Sequence, residues 1–301
     1  MLDERTAPHI EEMVLTGRLL GVRRVDQVGT PAVFIHGLGG SSLNWTDLAY
    51  EMAGRLSSWA VDLPGFGVSP PPADGDYSLA GHADAVAALI DEKIGRRVHL
   101  FGNSMGGAVS VLLAAQRPEI VRSLTLISPA LPGSRPTRMN AHLPVIAVSG
   151  VGERVLARYA RATADFRVKT TMEACFADPD QLSPQRIAEA VAEVERRDGL
   201  PYVGDAFLGS LRGLMRSMVD TGPDRLLELA GRIECPVLLV YGRRDRLVDP
   251  GSAHRIAARF PDARVVVIPH AGHVAQMEHP ELVARTWRDL IGSPHPAAEQ
   301  G

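Results

Sequence analysis

The sequence predicts an α/β fold: a mostly parallel central sheet flanked by helices, with a helical cap inserted into it. Short strand-like runs alternate with helical segments at the start of the chain; the alternation stops between residues 132 and 232 and then resumes. Strands joined through helices pair in parallel by right-handed crossovers, so the two alternating stretches are expected to form one sheet. We therefore predict a core over residues 1–131 and 233–291, a helical cap over 132–232 and a disordered tail over 292–301.

Five short runs in the first stretch have the pattern of strands, and most are continuously apolar, as in a strand covered on both faces. A helical spacing of apolar residues over 79–94 ends at Gly95, which suits a helix C-cap, and a second helix over 105–116 stops before Pro118. The polar start of the chain carries no predicted element. The predicted strands are residues 22–25, 32–35, 59–61, 98–101 and 124–127.

Helices are the only regular structure expected in the cap. No segment there has the composition of a buried strand, whereas residues 153–164 and 184–197 have helical composition and periodicity. We expect the cap to supply the walls of a substrate pocket. The elements predicted after it are strands over 237–241 and 265–268 and helices over 252–259 and 280–291.

Composition and charge exclude several classes of protein. The 32 lysines and arginines against 35 aspartates and glutamates give a net charge of −3, which provides no long-range attraction to nucleic acid or anionic lipid. We expect a small-molecule substrate. Cys175 and Cys235 lie far apart with no CxxC spacing, and the histidines lack metal-ligand spacing, so we predict no disulfide, metal or cofactor.

Targeting signals are also absent from the pattern. No apolar run approaches the roughly 18 residues needed to span a bilayer, and the charged N-terminus lacks the apolar region of a signal peptide. We therefore expect a cytoplasmic protein without a membrane span. The sequence fixes neither the oligomeric state nor the physiological substrate.

Ser104 is the first candidate for chemistry. Residues 102–107 (GNSMGG) match the G-x-S-x-G pattern between a predicted strand and a predicted helix. Such a turn strains the serine backbone and leaves no room for side chains at Gly102 and Gly106. The helix that begins at Met105 directs free N–H groups at the same point, so it favours negative charge on a substrate oxygen. The pattern predicts that Ser104 is a nucleophile.

The loop over residues 36–40 (HGLGG) follows another strand and is expected to stabilise that negative charge. The backbone N–H groups of Leu38 and Met105 would be the two donors. We expect His36 itself to be structural. The same region supports a rival hypothesis, because Gly37, Gly39 and Ser42, with Asp62 twenty residues further on, imitate a dinucleotide-binding fingerprint.

A carboxylate and a histidine follow the last two predicted strands. Asp245 lies closer to its strand than Asp249, which precedes Pro250 and is expected to cap a helix. His273 lies in a loop where Gly272 gives freedom to turn, whereas His270 is closer to the strand. We predict that His273 is the general base and that Asp245 orients it, with Asp249 and His270 as the alternatives.

The order Ser104, Asp245 and His273, each after its own strand, resembles the α/β-hydrolase superfamily over about residues 17–291. The resemblance implies that these residues form a catalytic triad and that the N–H groups of Leu38 and Met105 form the oxyanion hole. Members include esterases, lipases, amidases, epoxide hydrolases, haloalkane dehalogenases and cofactor-free haloperoxidases, so the fold alone does not identify a substrate. A serine nucleophile disfavours the epoxide and haloalkane branches, which usually have aspartate at this position.

Residues 102–107 and 272–280 also resemble the meta-cleavage-product hydrolases, which cut a carbon–carbon bond in a vinylogous diketone acid. That family usually has tryptophan directly after the histidine, where this chain has Val274. The family's cap arginine, which holds the substrate carboxylate, falls near Val191. Candidate substitutes for it are Arg154, Arg158, Arg161 and Arg167.

These observations predict a serine hydrolase that acts on a small carboxylic ester through an acyl-enzyme. The alternatives are carbon–carbon hydrolysis of the meta-cleavage type and the chemistry of a cofactor-free haloperoxidase or acyl transferase. More remote alternatives are a nicotinamide-dependent oxidoreductase and a non-catalytic binding protein.

Overall fold

A central sheet of eight strands organises the computed structural model, which describes residues 6–25, 28–222 and 225–291. The predicted tail over 292–301 and the charged N-terminal residues 1–5 lie outside the described residues. The strands of the described part are β1 (Ile10–Leu15), β2 (Arg18–Val25), β3 (Thr30–Ile35), β4 (Leu56–Val61), β5 (Val98–Asn103), β6 (Val121–Ile127), β7 (Val237–Gly242) and β8 (Ala263–Ile268).

The order of the strands across the sheet is β1-β2-β4-β3-β5-β6-β7-β8. The β1–β2 and β2–β4 pairs are antiparallel, and every other pair is parallel. The predicted mostly parallel sheet is therefore confirmed. Because parallel strands end at the same edge of the sheet, the loops after β3, β5, β7 and β8 meet there. These four loops carry all the residues predicted to do chemistry.

The first strand, β1, is absent from the sequence prediction. It forms a hairpin with β2 across Thr16-Gly17, and Gly17 has a φ of 76°. A tight turn of this kind favours glycine because one of its residues needs a positive φ. Only Leu15 of β1 is buried, since the strand lies at the sheet edge. It therefore lacks the continuous apolar run that identifies the inner strands.

Helices flank the sheet where the alternation predicts them. The second predicted helix matches Met105–Gln116, and the last one matches Pro280–Leu290 to within a residue. The prediction over 79–94 covers a helix and a following π-helical turn that ends at Gly95, where φ is 64°. The α-helices of the described part are α1 (Thr46–Glu51), α2 (Leu79–Leu89), α3 (Met105–Gln116), α4 (Leu143–Ile146), α5 (Val151–Tyr159), α6 (Ala164–Cys175), α7 (Pro184–Asp198), α8 (Val203–Val219), α9 (Leu226–Ala230), α10 (Ala253–Ala257), α11 (Ala275–Glu278) and α12 (Pro280–Leu290).

The segment between β6 and β7 is helical throughout its regular structure, with α4 to α9 and no strand in residues 132–222 and 225–232. The helix predicted over 153–164 is interrupted. Helix α5 ends at Tyr159 and α6 begins at Ala164, because Thr163 caps the new helix by accepting the N–H of Phe166 at 3.3 Å. We call residues 132–232 the cap segment; its status as a separate domain stays a prediction.

Apolar side chains fill both faces of the sheet. On β3, Val33 and Ile35 pack on the side of α2 and α3, whereas Phe34 packs on the side of α1 and α12. Phe34 stacks on Phe101 with ring centroids 4.6 Å apart, and Trp287 of α12 lies 6.0 Å from Phe101. This double coverage explains the continuous apolar runs of the inner strands. In the described part of the chain, no helix combines the length and apolarity required to cross a bilayer.

Candidate active site

Ser104 lies at the turn from β5 into α3 and has an unusual backbone. Its φ is 52° and its ψ is −118°, a region that side-chain-bearing residues rarely adopt. Three hydrogen bonds to its carbonyl oxygen hold this conformation, from the N–H groups of Gly107 (2.9 Å), Ala108 (3.3 Å) and Ala130 (3.0 Å). The serine is the N-cap of α3, so its side chain stands at the positive end of the helix.

Glycines allow neighbouring chain segments to approach the turn. A Cβ on Gly102 would collide with the carbonyl oxygen of Gly106, and a Cβ on Gly106 would collide with the carbonyl oxygen of Ile35. The steric reason inferred from the G-x-S-x-G pattern therefore holds at both positions. A Cβ on Gly37 would lie 3.1 Å from the Cβ of Ser104, so the loop after β3 passes directly beside the serine.

His273 and Asp245 form a buried pair beyond the ends of β8 and β7. Nδ1 of His273 lies 2.9 Å from Oδ2 of Asp245, and the two side chains are 6% and 0% exposed. An ionised carboxylate can only accept, so the proton of a neutral His273 lies on Nδ1. Nε2 is then left with a free lone pair, as a general base requires.

Asp245 is held in its ionised form. Its Oδ1 accepts the N–H groups of Leu247 and Val248 at 2.8 and 2.9 Å. Burial alone would raise the pKa of Asp245, but the neighbouring His273 and the N–H of Val248 outweigh burial and hold this pKa below its usual range. The carboxylate is therefore suited to stabilising a positively charged imidazole.

The two alternatives from the sequence occupy different places. Asp249 caps the turn that precedes α10: its carboxylate accepts the N–H of Gly251 and the hydroxyl of Ser252, each at 3.0 Å. His270 is exposed and contacts Arg244, with 3.4 Å between Nδ1 and Nη2. Neither side chain contacts the His273–Asp245 pair through any hydrogen bond of the described residues.

The chain next to Ser104 is attached to the histidine loop. The side-chain amide of Asn103 donates to the carbonyl oxygens of His273 and Ile127, both at 3.0 Å. Within the described residues, no hydrogen bond joins the Ser104 hydroxyl to the His273 ring. Catalytic hydrogen bonds are often long without substrate and tighten in the complex, so the lack of this bond does not exclude the predicted pairing of Ser104 with His273.

Two backbone N–H groups next to Ser104 have no acceptor in the part of the chain that the structure describes. Among the hydrogen bonds of the described residues, none is donated by the N–H of Leu38 or of Met105. Met105 is the first residue of α3, where helical N–H groups lack a partner in the helix, and Leu38 lies in the loop that contacts Ser104. Both predicted donors therefore lack an acceptor within the described residues, as the oxyanion role would require.

The loop after β3 is locked to the loop after β4. His36 is fully buried, with Nδ1 2.7 Å from the carbonyl oxygen of Gly37 and Nε2 accepting the N–H of Leu63 at 3.1 Å. Burial lowers the pKa of His36 to about 4, so the ring is neutral. Its contacts are structural, as the sequence predicts.

Asp62 is bound inside the protein and is not free for a nucleotide. The residue is 1% exposed, and its carboxylate accepts the N–H groups of Ser42 (2.6 Å) and Val68 (2.9 Å). The dinucleotide hypothesis needs this carboxylate to bind a ribose hydroxyl. Both oxygens of the carboxylate already accept backbone N–H groups, so the main support for the dinucleotide hypothesis is removed.

Sequence reasoning missed a cation in the cap segment. Nη1 of Arg197, near the end of α7, donates to the carbonyl oxygen of Gly39 at 3.0 Å, and the guanidinium lies 5.9 Å from the Phe66 ring. Burial lowers the pKa of Arg197. The adjacent Arg196 donates to the carbonyl oxygen of Gly67. Two consecutive arginines at the end of a predicted amphipathic helix were the available signal.

The cap arginines that the sequence suggested lie elsewhere. Arg154, Arg158 and Arg161 are exposed, and Arg167 pairs with Asp198. Val191 packs with an apolar cluster that includes Val274, the residue after the candidate base. None of these four arginines contacts the loop beside Ser104 through a hydrogen bond of the described residues, whereas Arg197 does.

Gly272 has a different role from the one inferred from sequence. Its φ is not positive, so freedom to turn is not the reason for glycine. A Cβ at this position would collide with the backbone of Cys175, Phe176 and Ala177. Glycine is required because the cap segment passes directly over the histidine loop.

Comparisons with known proteins give a consistent family. The model of the alpha/beta hydrolase fold family matches residues 30–280. A pimeloyl-[acyl-carrier protein] methyl ester esterase of Aeromonas hydrophila is 31% identical over 280 residues, covering 91% of this chain and 99% of the relative. A 2-hydroxy-6-oxononadienedioate/2-hydroxy-6-oxononatrienedioate hydrolase of Cupriavidus pinatubonensis is 28% identical over 274 residues, covering 87% of this chain and 86% of the relative.

The fold is shared with solved structures at low sequence identity. A 2-hydroxy-6-oxo-6-phenylhexa-2,4-dienoate hydrolase from a Rhodococcus species superposes with a TM-score of 0.76 at 20% identity. The match covers 95% of this chain and 100% of the other. The match supports the eight-stranded architecture and its flanking helices.

Proposed function

The chain belongs to the alpha/beta hydrolase fold family, and from that premise we propose that it is a serine hydrolase of small carboxylic esters, with Ser104 as nucleophile, His273 as general base and Asp245 as its orienting acid. One observation carries the proposal: a buried, hydrogen-bonded His273–Asp245 pair whose loop is tied to a strained serine at a helix N-terminus. The relative that acts as a methyl ester esterase supports the ester class.

The first half of the reaction forms an acyl-enzyme. The Ser104 oxygen attacks the ester carbonyl carbon while Nε2 of His273 accepts the hydroxyl proton. The carbonyl oxygen becomes an oxyanion and accepts the N–H groups of Leu38 and Met105. Asp245 stabilises the imidazolium, because its pKa is held low and it stays ionised beside the positive ring. The intermediate collapses, and His273 returns the proton to the departing alcohol.

The second half releases the acid. Water attacks the acyl carbon of the Ser104 ester, and His273 accepts a proton from that water. The same two N–H groups stabilise the second oxyanion. Collapse breaks the bond to Ser104, and His273 returns the proton to the serine oxygen. No cofactor takes part in either step of this proposal.

A substrate panel tests the proposed class. The purified protein is assayed with p-nitrophenyl esters of several acyl lengths and with a vinylogous diketone acid. We expect short or medium acyl esters to be turned over with the higher kcat/KM, because they need only the nucleophile, the base and two oxyanion donors. A tenfold or greater preference for the diketone acid would reject the ester proposal, and turnover limited to peroxide-dependent or acyl-transfer reactions would reject hydrolysis.

Carbon–carbon hydrolysis is the second candidate, and Arg197 is the observation that favours it. A carboxylate-bearing substrate needs a cation in a water-poor pocket, and Arg197 presents a half-buried guanidinium beside the loop that contacts Ser104. The carbon–carbon hydrolase relative named above makes this chemistry worth testing. However, one guanidinium N–H is already donated to Gly39.

The variant Arg197→Met distinguishes two roles of Arg197: binding the substrate carboxylate and holding the loop at Gly39. Arg158→Met, at an exposed position, is the matched control. If Arg197 binds the substrate carboxylate, KM rises for the diketone acid and not for a neutral ester. If it only holds Gly39, kcat falls for both substrates while the two KM values change little. We expect the second result. Selective loss of affinity for the acid would instead favour the carbon–carbon candidate.

A further inference from the structure

A single carboxylate joins the histidine loop to the cap segment. Oε1 of Glu278, the last residue of α11, accepts the N–H of Gly272 at 2.7 Å. Its Oε2 accepts the N–H of Ala177 at 2.7 Å. Gly272 directly precedes the candidate base, and Ala177 lies just after α6 in the cap segment. The side chain therefore bridges two parts of the chain that are about a hundred residues apart in sequence.

The backbone of residues 175–177, which we call the cap strap, makes a third contact to this loop. The N–H of His273 donates to the carbonyl oxygen of Cys175 at 2.6 Å. The close approach that excludes a side chain at Gly272 is made by the same three strap residues. Two consecutive N–H groups of the histidine loop are thus occupied, one by Glu278 and one by the strap.

Apolar packing extends the contact along the chain after His273. Val274 is buried against Val168, Met172 and Phe176 of the cap segment. Met277, one residue before Glu278, packs at the border of the same cluster. The strap therefore supports the histidine loop in addition to the Asn103 amide, which donates to the carbonyl oxygen of His273 at 3.0 Å.

We propose that Glu278 is a positioning residue, which keeps the His273 ring on Asp245 and directed at Ser104 by fastening the histidine loop to the cap strap. The inference rests on the proposed function for its catalytic consequence, but the fastening itself does not. A carboxylate suits the role because both N–H groups need an acceptor. An amide in its place offers one oxygen and turns a donor towards the other N–H group.

The electrostatic setting is consistent with two short charge-assisted bonds. Burial raises the pKa of Glu278, and the N–H groups of Ala177 and Gly272 act against that rise by stabilising the ionised form. Burial also raises the pKa of the neighbouring Cys175 thiol to about 12, so that thiol stays neutral.

Glu278→Gln is the test variant, and Glu281→Gln, an exposed position in the first turn of α12, is the matched control. We expect kcat for the best ester to fall about ten- to a hundredfold in Glu278→Gln, because small misplacements of a reacting group have effects of this size. KM should change less than about twofold, since the substrate pocket is not altered. The control should keep wild-type values. Partial unfolding alone would also lower the apparent kcat at constant KM, so kcat is referred to the folded fraction measured by urea denaturation. A merely structural role would leave kcat per folded molecule at the wild-type value.

Two further readouts do not depend on turnover. The proton on Nδ1 of His273, bound to Asp245, should give a low-field NMR signal that shifts or broadens in Glu278→Gln and not in the control. Amide hydrogen exchange at Gly272 and Ala177 should become faster in the same variant. If the wild-type protein hydrolyses no ester, the proposed function fails while these two measurements still test the fastening.

Gly272→Ala provides a second route to the same state, because its Cβ would push the strap away while leaving Glu278 in place. We expect the same loss of kcat and the same change in the His273 signal. The inference is overturned if Glu278→Gln exchanges faster at Gly272 and Ala177 yet keeps the wild-type His273 signal and kcat. It is also overturned if exchange at both amides stays at the wild-type rate.

Discussion

Replacing Asp245 with asparagine should abolish most activity while keeping the fold. The asparagine oxygen can still accept the N–H groups of Leu247 and Val248, which Asp245 accepts at 2.8 and 2.9 Å. The amide nitrogen then faces Nδ1 of His273 at the present 2.9 Å contact. Because an amide NH₂ donates, Nδ1 must accept, and the ring proton moves to Nε2. His273 can then no longer accept a proton from Ser104.

The size of the loss follows from this change of tautomer. In a serine protease with the same arrangement, the equivalent substitution lowers kcat by about 10⁴-fold, which corresponds to about 5 kcal/mol of transition-state stabilisation at 1.36 kcal/mol per tenfold change. The two retained backbone hydrogen bonds limit the cost to folding. We expect the free energy of unfolding to fall by only about 1–2 kcal/mol, from the lost charge on a hydrogen bond.

The assay compares kcat on the best p-nitrophenyl ester and urea denaturation for wild type, Asp245→Asn and Asp249→Asn. Asparagine caps helices about as well as aspartate, so Asp249→Asn should keep both activity and stability. Activity of Asp245→Asn within about tenfold of wild type would refute the tautomer argument. A larger loss in Asp249→Asn than in Asp245→Asn would exchange their roles.

The other predictions concern stability. Gly106→Ala should lower the free energy of unfolding by about 3 kcal/mol, because its Cβ collides with carbonyl oxygens at the end of β3, whereas Gly204→Ala in open space on α8 should be neutral or stabilising in the same urea titration. Burial lowers the pKa values of His36, His82 and His99 to about 4, about 3 and about 4. These folded-state values lie below the unfolded value, so the associated stability is complete above about pH 6.5 and is lost as pH falls towards 4, by about 2 kcal/mol per histidine between pH 6.5 and 5. Urea midpoints that stay constant over that interval would contradict this assignment.

The sheet could be predicted from sequence where its strands are buried on both faces. The inner strands are continuous apolar runs, and their order along the chain, with helices between them, specifies parallel pairing. Strand β1 was not predicted because an edge strand with one buried residue has no such run. The break between α5 and α6 was not predicted because the composition on both sides of it is helical. Thr163 interrupts the helix there by acting as the N-cap of α6.

The sequence predicted the site residues that lie within single loops, but not the contacts between segments that are distant in sequence. The positions of Ser104, Asp245 and His273 follow from motif and strand order, and the structure brings the last two into contact. Arg197 contacts Gly39 from 158 residues away in sequence, and Glu278 contacts Ala177 from 101 residues away. Only the packing of the cap segment onto the core brings these groups together. The local pattern can suggest such a side chain, as the consecutive residues Arg196 and Arg197 do, but it does not specify the partner.

Covalent labelling tests most directly whether Ser104 is the nucleophile. The wild-type protein is treated with a fluorophosphonate, digested and analysed by mass spectrometry, with Ser104→Ala and Ser110→Ala treated in parallel. Ser110 is a buried serine on α3 whose hydroxyl donates to the carbonyl oxygen of Gly106 at 2.7 Å, so it serves as the control. We expect the added mass on the peptide containing Ser104 in the wild type and in Ser110→Ala, and neither label nor ester turnover in Ser104→Ala. Label on another residue, or wild-type ester turnover by Ser104→Ala, would contradict it.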